Sequence, residues 1–136
     1  MIRCYLSLGS NLANPELQLQ RAVELLRCSA MVNVLKVANN YYSKPYGHIQ
    51  HQPDFVNTVL MLDTWHSPYG LLLLCNSIEI YMGRERLQRW GPRVIDIDIV
   101  FYGQQKINTS KLTIPHPDME NRDFVIEPLA ELQQVV

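Results

Sequence analysis

Twice in this chain a strand pattern runs into a cap-and-proline pair that opens a helix, and this repetition limits the fold more than any other feature. Over residues 2–8 the apolar Ile2, Cys4, Leu6 and Leu8 alternate with Arg3, Tyr5 and Ser7, the period of a strand with one buried face. Gly9-Ser10-Asn11 ends that strand. Asn14-Pro15-Glu16 then supplies an N-cap residue, a proline at the first helical position and an acid near the positive helix end, and Leu19, Ala22, Val23 and Leu26 follow at helical spacing. Downstream, residues 55–64 read as a strand, and Ser67-Pro68 opens a helix with Leu71, Leu74, Cys75, Ile78 and Met82 on one stripe. Gly83 stops it.

The remaining segments complete the order. A strand is expected from residue 32 through Tyr42, then a loop over 43–53, and a fourth strand over 94–101 behind a polar loop at 84–93 that carries Arg84, Arg86, Arg89 and Arg93. A turn at Tyr102-Gly103, a short extended stretch around Leu112-Thr113-Ile114 and a short helix over 128–132 follow. This βαββαβ order predicts an α+β, ferredoxin-like fold. It has an antiparallel sheet with two helices on one face, and the other, loop-covered face is free for ligands and the active site.

The chain has 136 residues with 47% hydrophobic and 18% charged side chains, enough for one core in one domain over 1–136. Twelve Lys and Arg against thirteen Asp and Glu give a net charge of -1, without the basic excess a bulk nucleic-acid binder uses against phosphates. A small phosphorylated ligand needs only a local charge cluster and stays compatible. There is no apolar run of about 18 residues and no signal-peptide pattern, so a cytoplasmic protein without a membrane partner is expected. Cys4, Cys28 and Cys75 are odd in number, lack CxxC spacing and sit in apolar patterns, which predicts three core thiols in a reduced compartment.

Asp96-Ile97-Asp98 is the segment richest in chemical meaning. Ile95, Ile97, Ile99 and Phe101 are expected on the buried face, which sets both carboxylates on the other, their Cα atoms roughly 6.5 to 7 Å apart. They are either the solvated face of a half-exposed strand or the ligands of a hard cation such as Mg²⁺. Asp is disfavoured in strands, and this pair directly follows the arginine loop. Arginine forks with paired carboxylates and metal suit a polyphosphate. His116, between Pro115 and Pro117, is either a surface histidine or a phosphate donor. His48, His51 and His66 have no metal-ligand spacing and read as loop histidines. Asn57 shares a face with Phe55, Val59 and Met61, where a buried amide without partners costs on the order of 1 to 3 kcal/mol. A heteroaromatic ligand stacked on Phe55 or a backbone group would satisfy it.

Taken together, Leu8-Gly9-Ser10-Asn11-Leu12, Ser43-x-Pro45, Gln52-Pro53-Asp54-Phe55-x-Asn57, Glu79-x-x-x-Gly83-Arg84, Arg89-Trp90-Gly91-Pro92-Arg93-x-x-Asp96-Ile97-Asp98-Ile99, Leu112-Thr113-Ile114-Pro115-His116-Pro117 and Asn121-Arg122-x-Phe124 resemble the 6-hydroxymethyl-7,8-dihydropterin pyrophosphokinase family. The resemblance implies transfer of pyrophosphate from ATP to the hydroxymethyl group of a reduced pterin, with release of AMP, in folate biosynthesis. It also implies two Mg²⁺ ions, a monomer and the ferredoxin-like fold.

Carried over by position, Asp96 and Asp98 hold the metals and, with Arg84 and Arg93, form the catalytic set. The ATP side comprises Glu79, Arg84, Trp90, Arg93, Ile99, Lys111, Leu112, Thr113 and His116. Phe55 and Phe124 sandwich the pterin, Asn57 bonds its edge, the loop of Lys44, Pro45, Tyr46 and Gly47 contacts it, and Trp90 and Asp96 border it. Asp98 or a metal-lowered hydroxyl pKa is the candidate for proton removal. The sequence departs from the family pattern in a loop before Trp90 one residue shorter, in Leu87 where a basic residue is expected, in Lys44 at a usually small or hydroxylic position, and in its end at Val136. The rival expectation is a shortened paralogue that binds pterin or nucleotide without turnover.

Overall fold

In the computed structural model, which describes residues 1–44, 53–83 and 94–133, the alternating N-terminal segment forms β1 (Ile2–Ser10) inside an antiparallel sheet. Cys4, Leu6 and Leu8 are fully buried on one face. There they meet the apolar stripes of α1 (Pro15–Arg27) and α2 (Pro68–Tyr81), as the spacing predicts. β2 (Val32–Val37) and β3 (Tyr41–Ser43) both pair with β4 (Phe55–Thr64), β4 pairs with β1, and β1 pairs with β5 (Asp96–Tyr102). The order across the sheet is β2-β4-β1-β5, all neighbours antiparallel, with β3 continuing beside β4. A hairpin of β6 (Ile107–Asn108) and β7 (Thr113–Ile114) and a 3-10 turn at Met119–Asn121 follow β5.

Five sequence expectations need correction. The strand expected to run unbroken to Tyr42 is split. Between the Val37↔Leu60 and Tyr41↔Asn57 pairs, residues 38–40 stand opposite only Thr58 and Val59, a bulge pinned by Ala38 N–H donating to the Val59 carbonyl at 2.9 Å. Phe101 does not share the buried face of Ile97 and Ile99. Tyr5 pairs with Phe101 and Leu6 with Ile99, so Val100 is the extra residue, and Phe101 turns to the second face, edge-on to Tyr5 at 6.2 Å.

That second face is not left to loops alone. α3 (Asp123–Gln133) packs Val125, Leu129 and Leu132 against Ala38, Val59 and Val100. The helix expected at 128–132 thus begins earlier and carries Pro128 inside. Burying three large apolar side chains at roughly 1.5–3 kcal/mol each outweighs the ~3 kcal/mol of a mid-helix proline. At the far end of α3, both Glu131 carboxylate oxygens accept the Asn39 N–H, at 3.2 and 3.1 Å. Finally, Cys4 and Cys75 are buried, whereas Cys28 is exposed at the C-cap of α1, beyond the apolar stripe.

The caps differ from each other. Ser67 Oγ accepts the Gly70 N–H at 3.0 Å, the predicted device. Asn14 stands at its N-cap position in the left-handed region (φ 62) with no side-chain cap bond. Gln18 braces that end instead, donating from Nε2 to the Ala13 carbonyl at 2.7 Å. Among the described residues no helix is long and apolar enough to cross a membrane.

Candidate active site

The pleat of β5 sets the two aspartates. Ile97 is buried in the core between them, so Asp96 and Asp98 project from the opposite face, as the DxD spacing predicts. Asp96 lies beside Gly9 and Asp98 beside Ser7 across β1. One strand further, Gly9 pairs with Asn57 and Asn57 with Tyr41. A single row across the sheet therefore reads Asp96, Gly9, Asn57, Tyr41. At roughly 4.8 Å per strand, the carboxylate end and the amide end lie about 10 Å apart.

Beyond the free edge of β5, a cleft of about 780 Å³ opens between α2 and the β6–β7 hairpin. Its lining joins Glu79, Asp98, Ile99, Lys111, Leu112, Thr113 and His116, seven residues singled out from the sequence. Tyr69, Leu72, Leu73 and Asn76 of α2 also line it and were missed. The signal that points to them is Leu71–Leu74: four successive leucines go round the helix, so some must face away from the core. Tyr69 and Thr109 close one rim through a 2.7 Å bond between their hydroxyls.

Glu79 is a buried acid on α2, and its carboxylate accepts the Ile97 backbone N–H at 2.9 Å. An edge strand leaves one row of amides without a strand partner, and a carboxylate is a strong acceptor for one of them. Glu79 thereby fixes the strand segment that displays the aspartates. His116 Nδ1 accepts the Asp118 N–H at 3.4 Å, which leaves its proton on Nε2, 3.9 Å from Asp98 Oδ2. Burial lowers the His116 pKa; Asp98 pulls it up, Arg122 pushes it down and Asp118 pulls it up.

At the amide end, Asn57 is buried and its Nδ2 donates to the Tyr41 carbonyl at 3.2 Å and to Ser43 Oγ at 2.8 Å. Of the two alternatives open from the sequence, neighbouring protein groups thus take the amide nitrogen. Phe55 precedes it on the same face of β4, and Phe124 opens α3 under the Arg122 guanidinium, 5.7 Å from its ring centroid. Asn11, read from sequence as part of a turn, is buried and donates to the Pro53 carbonyl at 2.9 Å, fixing the approach to Phe55. Lys44 points outward, highly exposed, with Nζ 3.8 Å from Asp54. Pro45, Tyr46, Gly47, Arg84, Leu87, Trp90 and Arg93, with His48 and His51, lie outside the described residues.

Asp96 and Asp98 fit a divalent hard cation. Both offer only oxygen, and among the described residues no group of three or more His, Cys, Asp or Glu is placed to hold a metal. Two carboxylates with open positions suit Mg²⁺, which keeps waters and takes substrate phosphate oxygens rather than filling an all-protein cage.

A family model described as 7,8-dihydro-6-hydroxymethylpterin-pyrophosphokinase matches residues 5–134. The chain belongs to this family. It is 46% identical over 132 residues to the 2-amino-4-hydroxy-6-hydroxymethyldihydropteridine pyrophosphokinase of Haemophilus influenzae, an alignment covering 97% of this chain and 82% of that protein. The Bacillus subtilis protein of the same name is 42% identical over 132 residues, with 97% and 78% covered. The bifunctional protein FolKE of Lactococcus lactis is 41% identical over 128 residues, 94% of this chain but 36% of that longer protein. A solved structure described as an HPPK-DHPS in complex with substrates superposes with a TM-score of 0.72 at 14% identity, covering 96% of this chain and 40% of that one. At that identity it speaks for the mixed α/β fold alone.

Proposed function

We propose that this chain, a single domain over 1–136 on a ferredoxin-like frame, transfers pyrophosphate from ATP to the hydroxymethyl group of 6-hydroxymethyl-7,8-dihydropterin, giving AMP and the pterin diphosphate for folate biosynthesis. The observation that carries this reading is Asp98 in the lining of the cleft, with Asp96 two residues before it on the same face of β5, in a member of a pyrophosphokinase family. The active-site face is the one bearing Asp96 and Asn57. The protein acts as a cytoplasmic monomer on small molecules, with neither nucleic acid nor membrane as partner.

ATP takes the cleft, with Ile99, Leu112 and Thr113 around the nucleoside, Lys111 at the hairpin, and His116 with Arg84 and Arg93 on the phosphates. Neutral His116 donates from Nε2 to a phosphate oxygen, and the arrival of that charge favours its protonated form. Asp96 and Asp98 hold two Mg²⁺ ions, which when bound offset the roughly four negative charges of the triphosphate. The pterin lies between Phe55 and Phe124 with its edge at Asn57, bordered by Trp90 and the loop of Lys44, Pro45, Tyr46 and Gly47.

The hydroxymethyl oxygen attacks the β-phosphorus, its O–H proton passes to Asp98 or to solvent water, and the bond from that phosphorus to the oxygen bridging the α-phosphate breaks to release AMP. The protein's contribution is placement across about 10 Å of sheet and exclusion of water. The test is AMP formation from Mg-ATP with and without the pterin, with mass spectrometry of the product. Pterin-dependent AMP and a pterin heavier by a diphosphate are expected. Binding of pterin or nucleotide without AMP would establish a non-catalytic paralogue instead.

A further inference from the structure

The amide of Asn57 has two nearly equivalent orientations, and the protein chooses one. The Tyr41 carbonyl can only accept, so the amide group facing it is the NH₂. Ser43 Oγ takes the second N–H of the same nitrogen at 2.8 Å, against 3.2 Å for Tyr41. Tyr41 and Ser43 alternate on β3 so that both stand beside Asn57 and Phe55, their register partners on β4. On the other side is Gly9. A Cβ there would lie 2.9 Å from Asn57 Oδ1 and 3.8 Å from a Phe55 ring carbon, so any side chain would displace the amide oxygen.

We propose that Ser43 is a positioning residue for the ring substrate: its hydroxyl, with Gly9 as the cleared side, locks Asn57 so that the amide presents Oδ1 and not its N–H groups. With both N–H groups committed inside the protein, Asn57 reads a hydrogen-bond donor on the ligand. This suits the amino and ring N–H groups of a 2-amino-4-oxo pterin edge and penalises a ring that offers an acceptor there. Nothing in this arrangement touches the nucleotide cleft, whose lining includes neither Ser43 nor Gly9 nor Asn57.

The inference rests on the pyrophosphokinase reading, and the experiment separates the two. Steady-state AMP formation is measured for wild type and for Ser43→Ala, Ser43→Thr, Ser43→Val and Gly9→Ala, varying pterin and Mg-ATP separately. Expected is a rise of roughly tenfold in the pterin KM for Ser43→Ala and Ser43→Val, as for the loss of one buried hydrogen bond. The ATP KM stays within twofold and Ser43→Thr retains near-wild-type values. Gly9→Ala raises the pterin KM at least as much.

Thr and Val have the same shape and differ in the hydroxyl, so this pair decides even if Ser43→Ala fails to fold. Equal pterin KM values for the Thr and Val variants, or a parallel rise in the ATP KM, overturn the proposal, the second outcome marking a purely structural bond. An unchanged pterin KM in Gly9→Ala overturns the part assigned to Gly9. A wild-type chain that makes no pterin-dependent AMP overturns the underlying reading rather than this one.

Discussion

Around Asp98 the polar groups face an open cleft of about 780 Å³, whereas around Asn57 they face one another, with the amide nitrogen committed to Tyr41 and Ser43 before any ligand arrives. Two carboxylates side by side on one face of an edge strand repel each other unless a cation lies between them, so on the proposed function the nucleotide end is completed by its ligands. The ring end is completed by the protein. Its amide is oriented, Gly9 stands beside it, and α3, which carries Phe124 near its start, is anchored at its other end by Glu131. On the proposed function, one end takes a highly charged, flexible triphosphate and the other a flat, rigid heterocycle, and these call for this difference. Charge complementarity tolerates an open geometry, but discrimination between rings does not.

The comparison breaks first at the aspartates if it is wrong. Asp96→Ala or Asp98→Ala is expected to lower kcat by roughly 10³-fold or more, the scale on which metal-borne charge stabilisation acts. Circular dichroism and the thermal midpoint should stay near wild type, because both carboxylates lie outside the apolar core. Near-normal turnover in either variant would show that this end is not organised by charge. At the other end Phe124→Ala should weaken pterin binding by roughly 1 kcal/mol or more through lost stacking. Calorimetric titration with a non-hydrolysable ATP analogue should be unaltered. Equal loss of both ligands would merge the two ends into one.

Glu79→Ala tests the frame between them. The Ile97 N–H would lose a charged acceptor at 2.9 Å inside the core, which costs roughly 1–3 kcal/mol of stability. Chemical denaturation should show that loss, with the ATP KM raised and the pterin KM little changed. A variant as stable as wild type would mean that β5 holds its aspartates without help from α2.

How much of this was legible in sequence follows from which interactions are local. The strand alternation of β1, the Ser67-Pro68 start of α2 and the DxD pleat are written within a few residues each, and all three stand where expected. Features that depend on partners far along the chain were not legible. The Val100 bulge that turns Phe101 over arises from register against β1, and the Ala38 bulge from register against β4. The early start of α3 reflects burial against Val59 and Val100, which a proline rule applied to Pro128 alone cannot anticipate. The site divides likewise. Most of the cleft residues on β5 and the β6–β7 hairpin announced themselves as motifs, whereas the partners of Asn57 sit 14 and 16 positions away, and Tyr69, Leu72, Leu73 and Asn76 of α2, outside the predicted stripe, carried no motif.

The smallest expected effect concerns whether the cleft is open only at its mouth. Cys75 is fully buried on α2, and burial, reinforced by the charges of Glu79 and Asp98, pushes its thiol pKa up. Cys4, on the buried face of β1, is pushed up to about 12 by burial. A thiol with a raised pKa favours the neutral form in the folded state, so its contribution to stability is present below the ordinary thiol value and is lost as pH rises toward 12. At pH 8 both thiols are therefore protonated as well as inaccessible, and exposed Cys28 is the site iodoacetamide should reach. Peptide mass spectrometry after brief labelling should find Cys28 alkylated, with Cys4 and Cys75 modified only after denaturation. Labelling of Cys75 at the rate of Cys28 in the native protein would show that α2 lifts from the sheet, making the nucleotide end open through its floor as well as its mouth. Labelling confined to Cys28 fixes that floor as rigid and leaves the difference between the two ends one of surface chemistry alone.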